Sequence, residues 1–240
     1  GKTAHGLVRF TERYRVLGGV DSSYAGHDAG QILDGEHKGI PIHGSVKEAI
    51  DAHKGSAPAS HLVVGIAPDG GRLGSPARNH ILEAIEYGLN VDAGLHDFLS
   101  EDPQFKSAAL RTGARIRDVR KPPPRNQLHF FTGKIQDVKA LKVAVLGTDS
   151  AIGKRTTAWI LVHGLREMGI RTAFVGTGQT AWLQGARHCI VLDSLINDFV
   201  SGEIEHAIST AWEEKRPDVI VIEGQGSLMN PAYPGGFEIM

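Results

Sequence analysis

The stretch Gly147-Thr148-Asp149-Ser150-Ala151-Ile152-Gly153-Lys154-Arg155-Thr156-Thr157 constrains this chain more than any other feature. It lies between a short apolar run, Lys142-Val143-Ala144-Val145-Leu146, and a segment in which Ala158, Leu161, Val162, Leu165 and Met168 recur at helical spacing. That pattern predicts a strand, a glycine-rich turn and an amphipathic helix stopped by Gly169. A turn of this kind at a helix start directs several main-chain N–H groups at one point, which is what phosphate oxygens require. Lys154 adds a full positive charge. One charge-assisted hydrogen bond contributes roughly 1.5–3 kcal/mol, so a few of them support the roughly 8 kcal/mol of a micromolar ligand before ordering costs are subtracted. Every residue from Gly147 to Thr157 is therefore a candidate for cofactor binding.

The match to G-x-x-x-x-G-K-[ST] departs in two places. One extra residue lies between the glycines, and Arg155 stands where a metal-binding hydroxyl is usual. The longer loop beginning Gly-Thr-Asp resembles that of dethiobiotin synthetase and related P-loop amide-forming enzymes. The resemblance implies phosphate binding and leaves the hydroxyl role to Thr156 or Thr157. A magnesium site also needs a carboxylate at the end of a buried strand. Val221-Ile222-Glu223-Gly224-Gln225-Gly226 supplies one, similar to the Glu-Gly-x-Gly strand end of the same synthetases. Glu223 and Thr156 are the expected metal residues.

The rest of the chain alternates strand-like and helix-like stretches, which predicts an α/β protein with parallel, doubly wound sheets. Strands are expected at Tyr14–Val20, His61–Ala67, Asn90–Gly94, Ala114–Val119, Thr172–Val175, Cys189–Leu192 and Asp218–Ile222. Pro68-Asp69-Gly70-Gly71 leads into a helix with Pro76 in its first turn and Ile81, Leu82, Ile85 and Leu89 on one face; a later helix carries Ile204, Ala207, Ile208 and Ala211. Thr3–Phe10 reads as a short helix. Lys121-Pro122-Pro123-Pro124-Arg125-Asn126 is the expected boundary, since three prolines join neither a helix nor a central strand. The expected division is 1–120, a linker and lead-in over 121–140, and a second domain over 141–240. No strand precedes Thr3, and only 17 residues follow Glu223, so both ends are expected to continue in the natural protein.

With 26 basic against 27 acidic residues, no whole-protein field draws the chain to nucleic acid or anionic lipid, and any anion must be caught locally. The single Cys189 excludes an internal disulfide and fits a reducing, cytoplasmic compartment; no apolar run approaches the roughly 18 residues of a membrane helix. The cysteine opens an apolar run and reads as a small buried hydrophobe. The 12 histidines include no i, i+4 pair, so there is no local zinc signature.

Gly176-Thr177-Gly178-Gln179-Thr180-Ala181 imitates a dinucleotide fingerprint, but Trp182–Arg187 is not a clean amphipathic helix. It reads better as a loop presenting Gln179 and Thr180 to substrate. Asp193, Asn197 and Asp198 follow a strand, and Asp193 and Asn197 share a face if the piece is helical; alternatively Asp193 or Ser194 caps a helix. In the first half, Asp21-Ser22-Ser23-Tyr24-Ala25-Gly26 sits where a ribose-reading acid belongs in such domains, making Ser22 and Tyr24 substrate candidates.

Taken together, Lys2-Thr3-Ala4-His5-Gly6-Leu7, Val20–Gly26, Gly147–Thr157, Gly176–Thr180 and Glu223-Gly224-Gln225-Gly226-Ser227-Leu228 resemble the DgcN family over nearly the whole chain. The resemblance implies a Rossmann-like N-terminal domain and a dethiobiotin-synthetase-like P-loop C-terminal domain. It also implies N-acetylation of D-glutamate by acetyl-CoA, a step of D-amino-acid catabolism. The loop then holds coenzyme A phosphates, Asp193 or Asp198 acts as base, and Lys154 or main-chain N–H groups stabilise the oxyanion. Arg155 or Arg187 suits the dicarboxylate substrate. The expected partners are a small amino acid and further copies of the chain, with no nucleic acid and no membrane. Two alternatives stand beside this one: an ATP- and Mg²⁺-dependent carboxylate-activating ligase, and a nucleotide-controlled sensor without catalysis.

Overall fold

The computed structural model describes residues 1–55, 57–66, 73–232 and 239. The chain divides into two compact units, Gly1–Lys121 and Pro122–Met240.

In unit 1, β1 (Gly19–Val20) pairs in parallel with β2 (Ile42–His43), and β4 (Asn90–Ala93) lies between β3 (His61–Val63) and β5 (Ile116–Asp118), also in parallel. The expected strand over Tyr14–Val20 is ordered as a ladder only at its end, because β2 offers two residues to pair with. Tyr14 instead donates its hydroxyl to the buried Asp92 at 2.5 Å. Pro68–Gly71 and Ala67 lie outside the described residues.

The helices of this unit are α1 (Lys2–Arg9), α2 (Ala29–Asp34), α3 (Val46–Ala52), α4 (Ser75–Glu86) and α5 (Pro103–Thr112). Their starts follow from local chemistry. Asp28 caps α2 and accepts four main-chain N–H groups, from Gly30, Gln31, Lys38 and Ile40. Ser45 and Glu48 form a reciprocal capping box on α3, with Ser45 Oγ accepting from Glu48 N and Glu48 Oε2 from Gly44 N. The core gathers Ile85, Val91, Leu99 and Phe105 around β4.

Unit 2 is built on one parallel sheet of four strands in the order β6 (Leu141–Val145), β9 (Val219–Glu223), β7 (Thr172–Gly176), β8 (His188–Cys189). All five residues of β9 are buried, as expected of an apolar run placed between two parallel neighbours. α6 (Lys154–Glu167) buries Ala158, Trp159 and Val162, and Gly169 ends the turn after it at φ +79°. Met168, expected on the apolar face, is 77% exposed because it lies one residue past the helix. Trp159 takes its place in the packing, its ring 4.2 Å from that of Phe174. α8 (Asn197–Lys215) lays Ile204, Ala207, Ile208 and Ala211 into the core with Val175, Ile220 and Ile222.

Two local expectations are corrected. Gln179–Gln184 forms a short helix, α7, rather than a loop, ended by Gly185 in the left-handed region. The strand expected at Cys189–Leu192 ends at Cys189, because β7 offers Gly176 as the last partner and a 3₁₀ turn begins at Leu192.

Candidate phosphate-binding site

Because all four strands of unit 2 run in parallel, their carboxyl ends open on one edge, where ligands of α/β sheets bind. Four connections gather there: residues 146–153 after β6, 224–230 after β9, 177–178 after β7 and 190–196 after β8.

The first of these is the phosphate loop, and its shape is fixed by backbone needs. Ala151 lies in the left-handed region at φ +57°, which costs a residue with a side chain on the order of 1 kcal/mol, and Gly153 lies at φ +99° as the residue that starts α6. A Cβ on Gly147 would come within 2.4 Å of Ile152 Cδ1, so the glycine lets the loop close over its own beginning. Every residue from Gly147 to Thr157 is exposed or half-buried, and the turn is open.

Lys154 Nζ donates to Asp149 O at 2.6 Å and to Gly226 O at 2.7 Å, joining the β6 and β9 exits with one ammonium group. Asp149 Oδ1 accepts from Ser150 N at 2.6 Å and from Asn230 Nδ2 at 3.1 Å. Ser227 Oγ donates to Thr148 O at 2.6 Å and accepts the N–H groups of Met229 and Asn230. Leu228 N donates to Gly147 O, and Gly224 N to Val145 O. A Cβ on Gly224 would meet Val145 O at 2.3 Å, so only glycine permits this seam.

At the end of β9, Glu223 is 5% exposed and committed on both sides. Its Oε2 accepts Thr177 N at 3.0 Å, while Thr177 Oγ1 donates to Glu223 O at 3.0 Å. Its Oε1 lies 4.0 Å from Arg155 Nη1. Thr156 and Thr157, the expected hydroxyls, are exposed in the first turn of α6. Among the described residues no group of three or more His, Cys, Asp or Glu side chains is placed to hold a metal ion.

The remaining candidates scatter. Gln179 is half-buried at the start of α7, and Thr180 is 4% exposed, because α7 packs its first turn into the domain. Asp193 is exposed in the 3₁₀ turn Leu192–Ser194 and Asp198 is exposed in the first turn of α8. Neither Asp193 nor Ser194 caps α8, whose first flanking residue is Ile196, and extended backbone at Leu195 and Ile196 keeps Asp193 and Asn197 off a common helix face. The exit of β8 is three strand spacings from that of β6, roughly 14 Å. Arg187 is engaged by Glu214 at 2.8 Å. Cys189 is half-buried rather than buried, and its Sγ donates to Gly178 O at 3.4 Å. Ser22 and Tyr24 stand exposed after β1 in unit 1.

Thr177, Ser227 and Asn230 were not among the site candidates. Their neighbours hint at them, since Ser227-x-x-Asn230 is a polar turn pattern, but the contacts that matter reach 46, 79 and 81 residues along the chain.

Comparison with known proteins agrees with this layout. Residues 22–122 match the family described as "Domain of unknown function (DUF1611_N) Rossmann-like domain", and residues 129–240 match "Domain of unknown function (DUF1611_C) P-loop domain". A crystal structure of a DUF1611 family protein from Anabaena variabilis superposes with a TM-score of 0.88 at 32% identity, covering 100% of this chain and 66% of that one. Two curated relatives carry the name D-glutamate N-acetyltransferase. The one from Pseudoalteromonas sp is 36% identical over 74% of this chain and 51% of its own length. The one from Tritonibacter scottomollicae is 31% identical over 75% of this chain and 52% of its own length. The chain thus spans about half the length of the curated relatives it matches. No described helix is long and apolar enough to cross a membrane. A Rossmann-like unit followed by an open phosphate loop, matched by both family descriptions over most of the sequence, places the chain in the DUF1611 family.

Proposed function

We propose that the protein is a cytoplasmic N-acetyltransferase that moves the acetyl group of acetyl-CoA to the amine of D-glutamate in D-amino-acid catabolism, with residues 147–157 holding the coenzyme A phosphates. The observation that carries this reading is the likeness to two relatives bearing that activity's name, on a chain whose phosphate loop is open at the sheet's carboxyl edge. Coenzyme A brings a pyrophosphate and a ribose phosphate, so the loop contributes binding without any phosphoanhydride bond being broken. The cytoplasmic assignment is supported by the lone cysteine.

In this reading the amine nitrogen forms a bond to the thioester carbonyl carbon, the carbon–sulfur bond breaks, and the amine proton passes to a carboxylate while the thiolate departs. Of the two acids, Asp193 is favoured. It follows Leu192, whose N–H donates to Thr177 O at 3.2 Å, which ties its turn to the strand exits, whereas Asp198 belongs to the first turn of α8. With Lys154 and the loop N–H groups engaged on the cofactor phosphates, main-chain N–H groups beside Asp193 are the oxyanion donors. The roughly 14 Å from the β6 exit to the β8 exit suits an extended cofactor gripped at one end and reacting at the other.

Thiol release from acetyl-CoA, followed with a chromogenic disulfide, tests the reading. Release that depends on D-glutamate, with Asp193→Asn lowering kcat at least about 100-fold and Asp198→Asn leaving it nearly unchanged, is the expected result. Phosphate release from ATP with a carboxylate substrate, and none of thiol, would instead support a ligase.

A further inference from the structure

Phosphate loops of this kind ordinarily bring Mg²⁺ to the ligand through a hydroxyl just after the loop lysine and a carboxylate at a neighbouring strand end. The residues here do not fit that ion. The hydroxyl position is Arg155, and its guanidinium points to the very carboxylate, Glu223, that would face the metal, with Nη1 4.0 Å from Oε1. The other carboxylate oxygen accepts Thr177 N, so Glu223 presents neither oxygen unshared. Thr156 and Thr157 are exposed, and among the described residues no group of three or more acids, histidines or cysteines is placed to hold a cation.

From this disagreement we infer that the Arg155–Glu223 pair replaces the divalent cation: the loop takes its phosphate ligand without metal, and Arg155 supplies the positive charge a metal would have supplied. The inference rests on the phosphate-loop reading above but not on acetyl transfer. Three observations support it. The Arg155 side chain is mostly buried, at 21% exposure, so its charge acts where water screens little. Its Nε is buried and, among the described residues, has no hydrogen-bond partner, so the guanidinium is not fully committed within the protein. The guanidinium is planar and permanently charged, and it divides its donors between a carboxylate and a phosphate as a single ammonium cannot. Glu223, in this account, positions Arg155 rather than a metal.

The test is calorimetric titration of coenzyme A and, in parallel, of ATP, each in excess EDTA and in millimolar magnesium. The wild type is expected to bind coenzyme A equally well in both buffers. Arg155→Ala is expected to weaken binding at least about tenfold with no rescue by magnesium, and Arg155→Lys to restore only part of it. Glu223→Gln, which keeps the shape of the side chain, is expected to retain metal-free binding. Arg155→Thr, which restores the usual hydroxyl and removes the guanidinium from Glu223, is expected to become magnesium-dependent. Binding by the wild type that requires magnesium and is lost in Glu223→Gln would overturn the inference, as would unchanged affinity in both Arg155→Ala and Arg155→Lys. If ATP binds and coenzyme A does not, the acetyltransferase reading fails, and the metal dependence of ATP binding decides the role of Arg155.

Discussion

A single ammonium group joins two strand exits in this protein. Lys154 donates to Asp149 O and Gly226 O, neutral acceptors with which the charged oxygens of an incoming phosphate compete favourably. Elsewhere single carboxylates tie down whole turns. Glu205, on α8, accepts from Thr132 N, Thr132 Oγ1 and Ile135 N; burial pushes its carboxyl up, but these hydrogen bonds together outweigh burial and hold it below its ordinary value. In unit 1 the N–H of Lys38 leads the set that brings Asp28 from 3.8 to about 2. A carboxylate whose folded pKa is depressed stabilises the fold fully above its unfolded value and stops doing so as the pH falls through the folded one. Urea denaturation of the wild type between pH 5 and pH 2 should therefore show stability falling from about pH 4 downward. Asp28→Asn should be less stable than wild type at neutral pH and flatter across that range. An equal slope in the two proteins would refute the assignment. The capping box at Ser45 and Glu48 was legible in principle from its S-x-x-E spacing, but the Asp28 cluster was not, because two of its four donors arrive from ten and twelve residues downstream.

Elements meet closely where glycine permits it, and the three glycines at 202, 224 and 164 predict different signs. A Cβ on Gly202 in α8 would lie 2.0 Å from His129 O, and one on Gly224 would lie 2.3 Å from Val145 O. Both contacts are backbone, so neither can yield by rotating a side chain. Gly202→Ala and Gly224→Ala should each cost about 3 kcal/mol, the upper end of the overpacking range. Gly164 in α6 has open space around its Cβ position, so Gly164→Ala should raise stability by about 0.5–1 kcal/mol. Thermal melting of the three variants checks the ordering; a destabilised Gly164→Ala would show that α6 is packed more tightly than described. Sequence periodicity served well for long elements. The apolar run of β9 announced a strand covered on both faces, and the four predicted core residues of α8 are all buried. It served poorly for short ones: the six residues of α7 are too few to display a period, and the two-residue pairing of β1 depends on how much partner β2 provides.

At the scale of the whole molecule, the sequence named the loop but not its surroundings. Gly147 to Thr157 is contiguous, and its position between β6 and α6 could be read directly. The cradle around it comes from β9, β7 and their exits, and the order β6-β9-β7-β8 that brings them together is not the order of the chain. Thr177 meets Glu223, and Asn230 meets Asp149, only because β9 inserts between β6 and β7. The same insertion sets Arg155 against Glu223, so the pairing that stands in place of a metal could not be read from either residue alone. Whether this cradle, closed by Lys154, grips an anionic cofactor is decided by titration calorimetry of coenzyme A into the wild type and Lys154→Ala. The variant is expected to lose at least about tenfold in affinity with its circular dichroism unchanged. Equal affinity in the two proteins would mean that Lys154 does not hold the cofactor.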